Sequence, residues 1–236
     1  MIPCLCRTGL GVRLAALFSG GKDSTYSILL AERMGHRVEV LLTFLPKAVD
    51  SYLFHYPNLH ITPLQAEAMA RKQVLIPVEG RSEEETLDRG LEEVAGRVEG
   101  VLAGALASSY QRDRMAKAAQ RHGLELVAPL WGFEPESLLR RILAEGFEVM
   151  VVAVAAAGLG EEWLGRILDG KAVDELSILR EKYGLHPAGE GGEMETLVLD
   201  CPIFRKRLKL GRVEKVWKQH YGYIVVHEAS LEPKTS

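Results

Sequence analysis

The chain has 236 residues, 47% hydrophobic and 26% charged, enough apolar material for a buried core in one large domain or two small ones. Its 29 basic and 32 acidic residues leave a formal charge of −3, which disfavours bulk nucleic-acid binding but allows a local basic patch. Three cysteines, Cys4, Cys6 and Cys201, odd in number and irregular in spacing, do not read as a disulfide framework or a zinc site and suit a reducing cytosol.

The opening residues Met1 to Val12 are broken by Arg7, Gly9 and Gly11 and lack the continuous apolar stretch of a secretory signal. The apolar run Val149 to Leu159 falls short of the roughly 20 residues that span a bilayer, so the expectation is a soluble, cytoplasmic protein with no membrane partner. Leu14 to Phe18 is wholly apolar, as in a strand buried on both faces, and Asp23 to Met34 reads as a helix ended by Gly35. Val38 to Leu45 is a second strand. Thr62, Pro63 and Gln65 predict a capped helix start, with Gln65 completing a capping box. Strand Val74 to Val78 follows, and Ser82 with Glu85 forms a second capping box for a helix to about Ala95. Val101 to Leu106 is a strand, Tyr110 to His122 a helix stopped by Gly123, and Leu124 to Ala128 a closing strand.

Alternating strands and helices predict an α/β fold, a doubly wound parallel sheet of Rossmann-like type. Ligands of such sheets bind beyond the carboxyl ends of the strands, so the loops after Phe18, Leu45 and Leu106 share one address. From about residue 130 the pattern changes. Helices near Glu136 to Ala144, Trp163 to Leu168 and Val173 to Tyr183, a strand near Phe147 to Ala155 and a β-rich end from Thr196 to Glu228 predict a second, smaller α/β domain. The expected division is an extension over 1–12, a nucleotide-binding domain over 13–130, a substrate-binding domain over 131–228 and a tail over 229–236, frayed from Pro233.

Chemistry concentrates in Ser19, Gly20, Gly21, Lys22, Asp23 and Ser24, between the first strand and its helix. The two glycines let the backbone approach an anion, and the helix start supplies amide hydrogens and a favourable dipole. Lys22 adds a mobile positive charge, Ser19 and Ser24 add hydroxyl donors, and Asp23 is a helix cap or a ligand for Mg²⁺ beside substrate phosphates. A Walker loop is excluded, because Ala16 stands where its first glycine belongs.

Ser-Gly-Gly-Lys-Asp-Ser resembles the signature of the PP-loop ATP pyrophosphatases, which implies ATP and Mg²⁺ as cofactors and a HUP-type nucleotide domain. That group splits ATP between its α and β phosphates and transfers AMP to a substrate oxygen. Four more stretches are similar to one branch, the diphthine–ammonia ligases, in the order found there: Asp50 to His55 with Pro57 and Asn58; Gly104 to Arg114, continued by Pro129 to Trp131; Gly158 and Leu159 with Trp163 to Arg166; and Gly189 to Asp200. The resemblance covers about residues 14 to 204 and matches the short archaeal form. It implies adenylation of the carboxylate of diphthine on translation elongation factor 2, then attack by ammonium to give the amide, AMP and pyrophosphate. Met194 departs from the pattern, standing where relatives usually carry an aromatic.

The candidate catalytic residues are Lys22, Asp23, Arg112, Glu190 and Glu193, with Asp23 also the candidate metal ligand. Gly104, at a strand end, makes room either for ATP or for close strand–helix packing. Candidate substrate contacts are Tyr52, His55, Tyr110, Gln111, Arg114, Gly191, Gly192, Glu195 and Thr196. Arg112 and Arg114, two positions apart on a helix, diverge and cannot readily face one ligand. Glu190, Glu193 and Glu195 around two glycines read by composition as a solvated acidic turn, whereas the resemblance makes them a site for a cation: ammonium, Mg²⁺ or the trimethylammonium of diphthine. Tyr52, Phe54, Trp131 and Trp163 are aromatic candidates for that trimethylammonium. Two alternatives compete. A tRNA-modifying PP-loop enzyme would use the basic residues Arg205, Lys206, Arg207, Lys209, Arg212, Lys215 and Lys218; a non-catalytic nucleotide-binding module would not need Arg112, Glu190 and Glu193. The sequence leaves a homo-oligomer open.

Overall fold

Five strands, the first four each followed by a helix, build the first half: β1 (Arg13–Leu17), α1 (Lys22–Arg33), β2 (Arg37–Pro46), α2 (Thr62–Ala68), β3 (Lys72–Val78), α3 (Glu83–Val94), β4 (Gly100–Leu102), α4 (Ser109–Arg121) and β5 (Glu125–Val127). The structure is a computed structural model describing residues 11–46, 58–78, 82–104 and 109–234. The strands form one parallel sheet in the order β3-β2-β1-β4-β5. The chain winds outward through β2 and β3, then returns to the other side of β1 for β4 and β5. The order therefore reverses at β1 and β4, and their carboxyl ends flank the crevice where wound sheets bind ligands.

Alternation along β1 explains the two faces. Ala15 packs with Val101, with Leu91 and Val94 of α3 and with Ala118 and Ala119 of α4. Leu14 and Ala16 point the other way, into the cluster that holds Ile28 of α1. Nine of the twelve residues of α1 are buried, because a second layer covers its outer side. Tyr26 meets Phe147 of that layer edge to face, with ring centres 5.5 Å apart. The capping box expected at Ser82 and Glu85 is present in full.

The second half comprises α5 (Pro135–Ala144), β6 (Glu148–Val154), α6 (Gly170–Tyr183), β7 (Met194–Asp200), β8 (Arg207–Leu210), β9 (Val213–Lys218), β10 (Tyr221–Val226) and β11 (Ala229–Glu232). It mixes helices and strands as expected, but its main sheet, β7-β6-β10-β9, is antiparallel. β8 and β11 form a separate antiparallel ribbon. The buried Asn58 ties the halves together: its Nδ2 donates to Ile224 O and its Oδ1 accepts from Val226 N, both at 2.9 Å, replacing a rung on β10.

Three expectations are corrected. Trp163 to Leu168 is not a helix; a 3-10 turn over Glu161–Trp163 ends there, Gly165 turns left-handed at φ +83°, and Arg166 and Leu168 bond to Val151 and Val149, the stretch of β6 that β10 does not pair. Residues 229–234, expected to belong to a tail, are not free, since Ala229–Glu232 pair with β8 and Lys234 Nζ is 2.8 Å from Asp200 Oδ1. Gln65 completes no capping box, because Thr62 lies inside the helix, donates its hydroxyl to Leu59 O, and leaves Gln65 facing elsewhere. Cys4 and Cys6 lie outside the described residues. No described helix is long and apolar enough to cross a membrane.

Candidate active site

β1 and α1 are joined by Phe18 to Gly21, at the crevice where the sheet order reverses. Gly20 sits at φ +79°, and a Cβ there would lie 2.2 Å from Gln65 Oε1, so both conformation and space demand glycine. Gly21 caps α1 without a side-chain hydrogen bond, leaving the helix N-terminus open to an anion. The hydroxyls of Ser19 and Ser24 are 3.1 Å apart, and Ser24 Oγ donates to Gly21 O at 3.1 Å. These two serines shape the loop as well as offering donors.

β7 runs beside this loop. Val198 N donates to Gly20 O at 3.0 Å, and Lys22 N donates to Thr196 Oγ1 at 3.2 Å. Thr196, a candidate substrate contact, thus touches the nucleotide loop itself. Gly104 also lies against it: a Cβ on Gly104 would be 3.0 Å from Ser24 N and 3.2 Å from Asp23 C, so its contact here is the backbone of the first turn of α1.

Lys22 is not mobile. As the first residue of α1 it points into the second layer, is 2% exposed, and donates from Nζ to Ala188 O at 2.6 Å and to Asp23 Oδ2 at 2.8 Å. Asp23 is not the cap, which is Gly21; it stands in the first turn, where the dipole favours its charge. Its Oδ1 is buried with no partner among the described residues.

The Gly/Glu-rich loop before β7 closes over this pair. Burial pushes the Glu190 carboxyl above its ordinary range; His186 and Lys22 oppose the rise, and Asp23 and Glu193 add to it. His186 Nε2 is 3.7 Å from Glu190 Oε2. Glu193 serves the loop: its Oε1 accepts from His186 N at 3.2 Å and its Oε2 from Gly191 N at 2.8 Å. Gly191 and Gly192 form the exposed turn, with Gly192 at φ +85°. Glu195 is half-buried on β7, whose alternation sends it to the face opposite Thr196.

The start of α4 lies beyond the carboxyl end of β4. Its arginines diverge as expected: Arg112 stacks over Trp131 at 4.7 Å, and Arg114 reaches Glu83 of α3 at 3.8 Å. Tyr110 is 71% exposed and Gln111 is half-buried. Trp163 is buried and carries Arg166 over its ring at 4.5 Å, so one face of each candidate tryptophan already holds a guanidinium. Tyr52, Phe54 and His55 lie outside the described residues.

Three residues at this site escaped the sequence reading: Gln65, Ala188 and His186. Ala188 acts through its carbonyl, which no side-chain pattern signals. Gln65 was legible only as a helix-start residue. His186 lies four residues before Glu190, and that spacing was its one available signal.

A doubly wound parallel sheet with a Ser-Gly-Gly-Lys-Asp-Ser loop at its switch point defines a nucleotide-binding α/β enzyme of the PP-loop type. Residues 12–126 match the family model of the diphthamide synthase N-terminal domain, and residues 134–231 that of its C-terminal domain. A diphthine–ammonia ligase of Homo sapiens is 36% identical over 253 residues, covering 95% of this chain and 94% of the relative. One of Rattus norvegicus is 37% identical over 87% of this chain and 85% of its own. One of Schizosaccharomyces pombe is 34% identical over 87% of this chain but only 37% of its own. The chain belongs to the diphthine–ammonia ligase family.

Proposed function

We propose that this protein uses ATP to adenylate the carboxylate of diphthine on translation elongation factor 2 and then converts it to the amide with ammonium. The observation that carries this reading is the meeting of two loops. The Gly20–Gly21 turn at the N-terminus of α1 suits a phosphate chain, and the Glu190 loop, tied to it through Lys22 and Ala188, suits a cation. A ligase that joins a carboxylate to ammonium with ATP needs both within one crevice.

In this reading the amides at the start of α1 bind phosphate oxygens and the helix dipole favours their charge. The diphthine carboxylate oxygen attacks the α-phosphorus, and pyrophosphate leaves. Ammonia, formed as ammonium loses a proton, attacks the acyl carbon; the new C–N bond replaces the C–O bond to AMP, and a second proton departs. Glu190 draws ammonium toward this point by charge. Asp23 would hold Mg²⁺: its buried, unpartnered Oδ1 fits, and Mg²⁺ needs only one or two carboxylates beside phosphates and water. Mg²⁺ would neutralise phosphate charge as pyrophosphate separates. Residues 13–130 form the nucleotide domain in this scheme and 131–228 the main part that meets diphthine. The protein works in the cytoplasm with its elongation-factor substrate.

The basic stretch gives the tRNA reading little support. Arg207 is bound to Glu148 at 2.7 Å and Lys209 to Glu232 at 3.2 Å, so both are neutralised within the fold. The test is pyrophosphate release from ATP with diphthine-bearing elongation factor plus ammonium, with bulk tRNA, or with neither. Release with the elongation factor alone is expected. Release that requires tRNA, or nucleotide binding without release in any mixture, would replace this reading.

A further inference from the structure

Gln65 is fully buried at the junction of α2, β7 and the nucleotide loop, 45 residues from that loop in sequence. Its Nε2 donates to Gly20 O at 2.9 Å and to Val198 O at 2.8 Å. Rotating the amide would set an oxygen against two carbonyl oxygens, so the neighbours fix its orientation. Gly20 O also accepts from Val198 N at 3.0 Å, so two donors hold this carbonyl against β7.

That anchoring has a geometric consequence. In a trans peptide the C=O of one residue and the N–H of the next point in opposite directions. With Gly20 O held against β7, the Gly21 N–H faces away from β7. Its protein acceptor there is Ser19 Oγ at 3.5 Å, too long for a strong hydrogen bond. A donor so aimed, beside the open end of α1, is free to meet a phosphate oxygen.

We propose that Gln65 is a positioning residue of the nucleotide loop: through the Gly20 carbonyl it sets the peptide whose Gly21 amide binds the nucleotide. The glycine at position 20 belongs to the same device, because any Cβ would strike Gln65 Oε1. The inference rests on the loop being the ATP site.

The test compares Gln65→Met with Gln73→Met in the full chain. Gln73, half-buried, is the control, since its Nε2 also makes two hydrogen bonds, to Thr43 Oγ1 at 2.9 Å and Thr62 Oγ1 at 2.8 Å, and reaches the loop only at second hand, through the Thr43 hydroxyl on Phe18 O, without touching the Gly20–Gly21 peptide. Calorimetric titration with α,β-methylene-ATP should show affinity about tenfold weaker in Gln65→Met, the scale of two modest hydrogen bonds lost, and within about twofold of wild type in Gln73→Met. The KM for ATP should rise in the former while the KM for the protein substrate holds. Equal losses in both variants, or none in Gln65→Met, would overturn the proposal. Wild-type protein that binds no nucleotide would overturn the ATP site itself and is recognised by that control.

Should Gln65→Met not fold, Gln65→Glu serves. Protonated, its carboxyl keeps one donor; ionised, it has none. Its affinity relative to wild type should worsen as pH rises, and a flat ratio would count against the role.

Discussion

The main-chain amide of Lys22 donates to the hydroxyl of Thr196 at 3.2 Å, across 174 residues of sequence. The first amides of α1 have no partner within the helix and Gly21 has no side chain to cap them, so a residue from the second sheet accepts from one of them. Thr196→Val keeps the shape and removes the acceptor. It should cost about 1–3 kcal/mol, because a buried N–H loses its partner, and so lower Tm by several degrees. Affinity for ATP should fall several-fold, and Thr196→Ser should restore most of it. Melting curves and nucleotide titrations of the two variants check this; equal behaviour would remove the hydroxyl from the account.

Asp23 uses one carboxylate oxygen on Lys22 and leaves the other buried without a partner among the described residues. An oxygen kept in that state suits a ligand that arrives with the nucleotide. Asp23→Ala should reduce pyrophosphate release by on the order of a hundredfold, the scale of losing one group that stabilises developing charge. The melting temperature should also fall, since the change leaves the buried Lys22 ammonium without its counter-charge, so turnover is compared at a temperature below both melts. Wild-type turnover in this variant would contradict the assignment.

The two carboxylates of the Gly/Glu-rich loop should separate by experiment. Glu190 faces Lys22, Asp23 and His186, whereas Glu193 holds the amides of His186 and Gly191. Glu190→Gln should leave ATP affinity intact and slow amide formation. Glu193→Ala should loosen the loop, raising hydrogen exchange over residues 186–193, with activity lost as a consequence. Unchanged exchange in Glu193→Ala would show that the brace is dispensable.

Glu134 caps α5: its Oε2 accepts from Ser137 N at 2.8 Å and its Oε1 from Arg180 at 3.0 Å. The hydrogen bond from the Ser137 amide, more than any other contact, holds its carboxyl down to about 2 from an ordinary 4.5. Because the folded value is the lower one, this stabilisation is present above the unfolded value and is lost as pH falls from there toward 2. Glu134→Ala should therefore cost about 1 kcal/mol at neutral pH, and its Tm should converge on that of wild type in acid. Parallel melting curves from neutral pH down to acid would exclude the cap as the source.

The order of elements through residue 128 was legible because each rests on local rules. Apolar runs of five to eight residues read as buried strands, and Ser82 with Glu85 displayed a capping box whose bonds are all within one turn. Thr62 and Gln65 offered the same pattern and meant something else. Whether a glutamine reaches back to its own helix or across to Gly20 O depends on what lies 45 residues upstream, which spacing alone does not encode. Trp163 to Leu168 failed for a similar reason: the stretch of β6 around Val149 and Val151, which β10 does not pair, claims the backbone of that segment, and Gly165 lets it turn there.

The nucleotide loop itself was written in six consecutive residues, because glycine freedom and a helix start are properties of adjacent positions. The sequence by itself determined that loop, the winding of the first sheet and the gathering of carboxylates before β7. Only the tertiary structure decided that Lys22 is buried against Ala188, that Glu193 braces its own loop and that Thr196 and Gln65 hold the nucleotide turn. Those are contacts between segments far apart in the chain, and their partners are mostly backbone carbonyls and amides, which every residue carries alike and only folding brings together.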